Sequence, residues 1–359
     1  MTAVELAWYG VDLKTGGIVE DLPALRPTGA LSRKLGAATT LQLEMALAGA
    51  SADWDSATAP GRSLVVAVDM ATDLPVWAGA VLPRDGGSST TVQIGAATLE
   101  AYLDARYPGT QNMVGVDQAT VIANLVTPAL TGGPPIVIDA VATGTVMDYL
   151  TSDGDDRSIL SCCQEVMGLE GGPEWTIDVV WNAAHSGFEF PLRVRAAVGT
   201  QSATPDAVFD YPGCVAEYSL GESYEKDKGA TRLIARGEGE GSSRLTSSVH
   251  EATDLIAAGW PIWESRYTPA TGIDDPDQLE AHAAKDLTLM AQGAQVWTIK
   301  GVASRSPRLG SVWGLGDSVR LSVETSPRHP SGADVVARCW AWDLDPGADR
   351  VTPILVEEA

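Results

Sequence analysis

Short apolar runs dominate the first hundred residues of the chain. Each is rich in Val, Leu, Ile or Thr and is bounded by Gly, Pro, Asp or Ser, a pattern that predicts β-strands. RDGGSST (84–90) is typical of a hairpin turn, and apolar residues at helical spacing predict a short helix over 97–107. The predicted strands are 39–49, 62–70, 74–84 and 90–97.

The centre of the chain mixes helical and strand periods. Asp117 is the predicted N-cap of a helix over 116–130, and Asp155 or Asp156 is predicted to cap a second helix. A strand separates the two helices and a hairpin follows them, so we expect a small mixed domain. The buried stripe of the second helix is predicted to comprise Ile159, Leu160, Cys163, Val166 and Met167.

The last part of the chain returns to strands, apart from one long helix predicted over 275–292. Asp275 suits its N-cap, Pro276 its first position and Gln278 the capping-box position. Further strands are predicted over 296–304, 317–324 and 334–343 and at the C-terminus. The apolar face of the helix is predicted to comprise Leu279, Ala283, Leu287 and Met290.

Composition sets the class of protein. The length of 359 residues suits two or three domains, and 45% hydrophobic residues suffice for packed cores. No apolar run reaches the roughly 18 residues that span a bilayer. The N-terminus lacks the pattern of a secretion signal. We therefore expect a protein made and folded in a cytosol, without membrane insertion.

The net charge of −23 argues against specific binding to a DNA backbone, because phosphate contacts need Lys and Arg. Solubility is the simplest interpretation of this charge. An acidic protein can nevertheless meet DNA where its task is to let DNA slide past.

Searches for catalytic and metal-binding motifs predict no site residues and no cofactor. The cysteines have no CxxC spacing, the four His form no HxxH or HExxH pattern, and no GxSxG is present. Cys162 as a hydrolase nucleophile, with His185 as its base, is disfavoured because Cys162 lies within a predicted helix. The acidic segment 152–158 lacks the order of a calcium loop, so a helix cap and turn are predicted there.

Gly237, Gly239 and Gly241 form the glycine-rich segment LIARGEGEGSSRL (233–245). A strand-like stretch follows it instead of a helix, there is no GK[ST], and Glu238 and Glu240 would repel phosphate. A connection between strands is therefore predicted, and not a nucleotide site.

Two further kinds of site stay open on sequence alone. Carboxylates are too numerous for counting to exclude a glycosidase pair. Eleven tryptophans are scattered along the chain, mostly within strand patterns such as those of Trp77, Trp297 and Trp340. Core packing is the preferred interpretation of the tryptophans, ahead of a sugar-binding platform.

The order of several segments resembles the tail hub family of long-tailed actinobacteriophages, usually called minor tail proteins. These proteins are similar to the baseplate hub of contractile-tailed phages. The resemblance spans about residues 70–343 and rests on the order and spacing of its segments. They are VWAGAVLPR (76–84), ATLEAYLDARY (97–107), VDQATVIANLV (116–126), DDRSILSCCQEV (155–166), GGPEWTIDVVW (171–181), LIARGEGEGSSRL (233–245), GWPIWESRYT (259–268) and SVWGLGDSVRLSV (311–323).

The resemblance implies a mainly β (α+β) fold of baseplate-hub type, with two tube-like β-barrel domains and an inserted mixed domain. The first barrel would comprise 1–110, completed by 205–250, the inserted domain 111–204 and the second barrel 255–359. The glycine-rich segment would then connect barrel strands, and Gly316-Asp317 would form a turn before a strand.

The resemblance also implies a function. The chain would be a structural virion protein and not an enzyme: a homotrimeric hub at the tail tip of a siphovirus. Its expected partners are the distal tail protein ring, the tail tube, the tape measure protein and other tail tip proteins. Phage DNA would pass through its lumen without specific binding. A tail tip module that binds host-surface glycan is the alternative, and a cell-wall hydrolase is a weaker one.

Overall fold

A computed structural model gives the fold of residues 4–169, 171–226, 228–237, 239, 241–268, 273 and 275–356. Strands hold 43% of the chain and helices 17%, so the predicted mainly β class with additional helices is confirmed. Within the described ranges, no helix is long and apolar enough to cross a membrane.

Eight strands and two short helices form the N-terminal part. They are β1 (Leu6–Asp12), β2 (Ile18–Asp21), β3 (Leu25–Pro27), β4 (Leu31–Lys34), β5 (Thr40–Ala46), α1 (Trp54–Ala57), β6 (Ser63–Asp69), β7 (Leu74–Asp85), β8 (Thr91–Ala97) and α2 (Glu100–Asp104). Seven strands pair antiparallel in the order β2-β1-β6-β7-β8-β5-β3, which we call the first sheet. The four strands named from the sequence are present as β5 to β8.

Strand β6 lies in the core, since all seven of its residues are buried. Successive side chains of a strand point to opposite faces. Val65 and Ala67 belong to one hydrophobic cluster, whereas Leu64, Val66 and Val68 belong to another. The continuous apolar run SLVVAV is therefore a strand covered on both faces.

The mixed module follows and packs on one face of the first sheet through the second of these clusters. Its elements are β9 (Gln111–Asp117), α3 (Gln118–Leu130), β10 (Ile136–Ala140), β11 (Val146–Thr151), α4 (Ile159–Met167), β12 (Glu174–Ile177), β13 (Val180–Trp181) and β14 (Phe188–Arg195). Strands β10, β14 and β12 form one small sheet, with β13 paired to β14, and β9 pairs with β11 in a two-stranded ribbon.

One helix cap of the mixed module is confirmed and the other is wrong. Asp117 accepts a hydrogen bond from the N–H of Ala119 at 2.9 Å, as predicted. Helix α4 is instead capped by Ser158, because Asp155 lies in a 3₁₀ turn that Asp156 ends in the left-handed conformation (φ 49°). The fully buried stripe of α4 includes Cys162, while Leu160 and Met167 are only partly buried.

The C-terminal part contains a second large sheet and a small unit. Its elements are β15 (Val208–Tyr211), β16 (Val215–Ser223), β17 (Arg232–Ala235), β18 (His250–Glu251), α5 (Thr253–Ala257), β19 (Glu264–Tyr267), α6 (Pro276–Met290), β20 (Ala294–Val302), β21 (Ser318–Val323), β22 (Ala333–Asp345) and β23 (Arg350–Val356). The second sheet has the order β15-β21-β22-β23-β20-β16, and β4 also pairs with β22. In the small unit, β18, β17 and β19 form a sheet that packs on α6.

Strand pairing corrects the predicted completion of the first barrel by 205–250. In that range β15 pairs with β21 and β16 with β20, so both belong to the second sheet. The predicted second barrel over 255–359 includes β19 and α6, which instead belong to the small unit and not to the second sheet. Hydrophobic periodicity locates a strand but does not identify its hydrogen-bonding partner, which explains the error.

Neither large sheet closes into a barrel within the described residues, because each pairing path ends at two edge strands. The second sheet comes close to closure. Its edges β15 and β16 are joined by residues 212–214 alone, so the sheet must curl to bring them together. The rings of Tyr211 and Tyr218 meet across this seam, with centroids 5.5 Å apart.

Helix α6 permits a test of the small unit. Asp275 caps it by accepting the N–H of Asp277 at 2.9 Å, so Asp275→Ala should cost about 1 kcal/mol. Leu279→Ala should cost more, about 2–5 kcal/mol, because Leu279 is fully buried. Leu287 is only partly buried and should cost less than Leu279. Urea denaturation would rank the three variants, and a larger loss for Leu287→Ala would contradict this packing.

Candidate functional site

The cysteines are buried free thiols, which bears on the hydrolase interpretation. Burial raises the pKa of Cys162, although the charge of Arg157 opposes this. Burial also raises the pKa of Cys163 and Cys339. A buried protonated thiol is a poor nucleophile. His185 lies in the turn between β13 and β14, where it stacks on Trp181 at 4.9 Å.

The other three histidines have separate local roles. His250 lies 2.6 Å from Glu280, and Nδ1 of His329 lies 2.8 Å from the hydroxyl of Tyr218. His282 is buried, which lowers its pKa. Among the residues the structure describes, no group of three His, Cys, Asp or Glu side chains could hold a metal ion.

The glycine-rich segment connects strands, as predicted. It begins within β17, and the N–H of Gly237 donates to the carbonyl of Leu245 at 3.0 Å. Gly239 adopts a φ of 105°, which favours glycine. The strands that it joins belong to the small unit, so its predicted place in a barrel is wrong. Glu238 and Glu240 lie outside the described residues.

Buried polar groups join the first sheet, the mixed module and the second sheet where they meet. Arg338 of β22 and Glu174 of β12 are both more than nine-tenths buried. Arg338 Nη1 lies 2.7 Å from Glu174 Oε1, and Nη2 bonds to Oε2. Glu174 also accepts the N–H of Val198 at 2.9 Å, and Arg338 donates to the carbonyl of Gly316 at 3.1 Å. The pair therefore clamps the second sheet to the mixed module.

Arg33 of β4 makes a second buried connection to the mixed module. Its Nη2 donates to Thr176 Oγ1 at 2.6 Å and to the carbonyl of Ile177 at 2.7 Å. Glu100 lies 3.5 Å from the same nitrogen, and its carboxylate accepts the N–H of Ile177 at 3.0 Å. Because β4 also pairs with β22, this short strand contacts the first sheet, the mixed module and the second sheet.

A third clamp joins the first sheet to the segment before β21. Arg308 donates two hydrogen bonds to the almost fully buried carboxylate of Asp69. Burial opposes ionisation of Asp69. The bonds from Arg308 and from the backbone N–H of Ala71 outweigh burial and hold the pKa of Asp69 below its usual value.

Acid should weaken the Asp69 clamp. Because the folded pKa is depressed, its contribution is complete above the unfolded pKa, about 3.9, and is lost as the pH falls through the folded pKa. We expect the unfolding free energy of the native chain to fall more steeply below about pH 4 than that of Asp69→Asn. Denaturation curves between neutral and acid pH would measure both slopes, and equal slopes would contradict this role.

The small unit is attached to the mixed module through part-buried polar contacts. Lys285 of α6 donates to the carbonyls of Met167 and Leu169 at 2.8 and 2.6 Å. Those carbonyls lie at the C-terminal end of α4, where a cation is favoured by the helix dipole. These two hydrogen bonds therefore attach α6 of the small unit to the mixed module.

A cleft of about 620 Å³ opens where the first sheet, the mixed module and the second sheet meet. Its lining includes Asp178, Trp181, Arg193, Thr200 and Asp317. Asp178 Oδ2 and Arg193 Nε lie 3.1 Å apart, so the main charges of the cleft neutralise each other. This arrangement supplies packing and hydrogen bonds and lacks the pairing of a nucleophile with a base.

One face of the second sheet is covered by the first sheet, and the other is open except at Arg338, where the mixed module contacts it. Phe209, Trp297, Val319 and Leu321 pack against the first sheet. The opposite face carries Val and Thr side chains and cross-strand ion pairs. Its pairs are Arg320–Asp334 and Lys300–Glu217, the latter at 3.0 Å, and its most exposed apolar residues are Val208 and Val336.

Comparison with known proteins supports an assignment at the level of the fold. No family model and no curated protein matches the chain. Two solved structures match with a TM-score of 0.61. A tail protein from Neisseria meningitidis MC58 is 13% identical, with 98% of this chain and 96% of that chain covered. The 43 kDa tail protein of prophage MuSo2 from Shewanella oneidensis is 11% identical, with 98% of each chain covered.

A third structure agrees with these two. The prophage tail protein gp18 from Listeria monocytogenes EGD-e has a TM-score of 0.53 and 10% identity, with 99% of this chain and 94% of that chain covered. Matches at such low identity, over nearly the full length of both chains, concern the whole architecture and not a single motif. The chain has the fold of phage tail proteins.

Proposed function

We propose that this chain is a structural protein of a phage virion: a hub at the distal end of the tail that connects the tail tube to the tip. The supporting observation is the match to three tail proteins over almost the whole of every chain compared. The order of segments that resembles the tail hub family of actinobacteriophages supports the finer assignment to a siphovirus hub.

A ring of three copies suits the free edges of the first sheet. Within the described residues, β2 and β3 are its edge strands. Unpaired strand edges are places where another chain can add. The number three follows from the family resemblance. The distal tail protein ring, the tail tube, the tape measure protein and other tip proteins would contact the rest of the hub.

The open face of the second sheet is the proposed wall of the DNA channel. Lys300 and Arg320 on this face are already paired with carboxylates, so these two cations offer DNA phosphates little attraction. The net charge of −23 adds repulsion. DNA would then pass without specific binding. The mixed module covers the first sheet and would lie outside the ring.

Two measurements test this assembly. A trimer carries about −69 charges (three times −23), so self-repulsion should weaken assembly at low salt, where screening lengths exceed about 10 Å. We expect mass measurements across a salt series to show monomers in dilute buffer and trimers at higher salt. A map of the intact tail tip should show three copies around the channel, and single-copy or sixfold density would overturn the proposal.

A further inference from the structure

An exposed aromatic cluster lies beside the C-terminal end of α6. Trp260 and Trp263 are 37% and 52% exposed, and no other tryptophan of the chain is as open to solvent. The ring of Tyr224 lies between them, with centroids 5.4 Å from Trp260 and 5.8 Å from Trp263. Ile262, 50% exposed, lies between the two tryptophans in the chain and has no aromatic ring. We call Tyr224, Trp260 and Trp263 the aromatic patch; core packing does not account for its exposed rings.

The backbone that carries the aromatic patch is fixed by hydrogen bonds. The buried hydroxyl of Thr231 donates to the carbonyl of Pro261 and accepts the N–H of Trp263, both at 2.9 Å. Tyr224 donates its hydroxyl to the carbonyl of Ala291 at 3.0 Å. A Cβ on Gly229 would lie 2.5 Å from the Tyr224 ring, so one ring face is packed on this glycine. Such preorganisation reduces the entropy lost when a ligand binds.

The size of the patch favours a small ligand over a protein. Taking roughly 250 Å² for an indole side chain, the two tryptophans together expose roughly 200 Å². A stable protein interface covers about 800 Å² on each partner. The patch therefore matches one or two rings of a ligand and is too small to hold a folded partner.

The chemistry around the patch suits a sugar. A pyranose presents C–H groups on its face, which the electron-rich face of an aromatic ring attracts, and hydroxyls at its edge. The indole N–H groups of Trp260 and Trp263 have no hydrogen-bond partner in the described part of the chain and can donate to such hydroxyls. Charged residues adjoin the patch in the chain: Glu225, 2.6 Å from Lys228, follows Tyr224, and Glu264 follows Trp263.

The negative charge of the chain favours neutral saccharides over anionic ones. The chain carries −23, which repels anionic polymers, and the rim charges near the patch are paired. We propose that the aromatic patch is a binding site for a neutral pyranose oligosaccharide. The site is independent of the hub assembly, and failure to form a trimer would leave it untouched.

Fluorescence titration of the full chain tests the site, because ligand stacking changes the emission of exposed indoles. The probes are four neutral hexasaccharides: N-acetylchitohexaose, cellohexaose, maltohexaose and mannohexaose. We expect at least one to bind, and Trp263→Ala or Trp260→Ala to weaken it about tenfold or more. Trp263→Phe, which keeps a ring, should retain more affinity than Trp263→Ala.

Ile262→Ala is the matched control, since it removes a neighbouring side chain of similar exposure that has no aromatic face. It should change the affinity by less than about threefold. Thermal melting would confirm that each variant is folded. The proposal is overturned if none of the four probes binds at millimolar concentration, or if Ile262→Ala weakens binding as much as Trp263→Ala. Loss of trimer in the patch variants, with no saccharide bound, would instead identify an interface between copies.

Discussion

Glu174→Gln is expected to lower the free energy of unfolding by about 3–5 kcal/mol. The substitution keeps the shape of the side chain but removes the carboxylate charge that the buried guanidinium of Arg338 contacts. Breaking one partner of a buried ion pair costs more than the pair itself contributes, because the remaining charge has no compensation. Urea denaturation at neutral pH would measure the loss.

The paired replacement separates this effect from simple loss of packing. Glu174→Leu combined with Arg338→Met removes both charges and keeps most of the volume. It should cost much less than Glu174→Gln, since apolar replacement of a whole buried pair is often neutral or stabilising. The Glu174–Arg338 clamp would be refuted by a single variant that costs less than about 1 kcal/mol.

Most individual elements of the fold were predictable from periodicity. The apolar run of β6 and the caps of α3 and α6 are local features, and local features are encoded within a few residues. Strand partners were not predictable, because a partner is set by contacts between distant segments. The pairing of Arg33 in β4 with Trp342 in β22 is an example: nothing in either segment specifies the other.

The buried clamps were missed for a related reason. Charged residues such as Arg338 and Glu174 are usually exposed, so sequence reasoning assigns them to the surface. One available signal was the position of Arg338 in VVARCWAW, an otherwise apolar strand. The aromatic patch had its own signal in GWPIW, where Gly and Pro break any strand pattern around two tryptophans. In the family resemblance, this segment supported the fold and did not indicate a ligand site.

Trp77→Ala is expected to cost about 3–5 kcal/mol, as for other large residues removed from a core. Trp77 is fully buried between the two sheets, edge-on to Trp8 at 6.5 Å. Its indole N–H donates to the carbonyl of Ser32 at 3.1 Å. That carbonyl also accepts the hydroxyl of Thr39, so the substitution leaves no unsatisfied acceptor. The expected loss is therefore that of a cavity alone.

Substitution of Gly79 tests how tightly the Trp77 ring is packed. Side chains two residues apart on a strand share a face, and a Cβ on Gly79 would lie 2.3 Å from Cη2 of Trp77. Gly79→Ala alone should cost about 1–3 kcal/mol through overpacking. In the Trp77→Ala background the added methyl enters the vacated space, so the double variant should lose less than the sum of the single losses, by about 0.5–3 kcal/mol. Chemical denaturation of the native chain, the two single variants and the double variant measures this coupling. Strictly additive losses would mean that the Trp77 ring does not restrict the side chain at position 79.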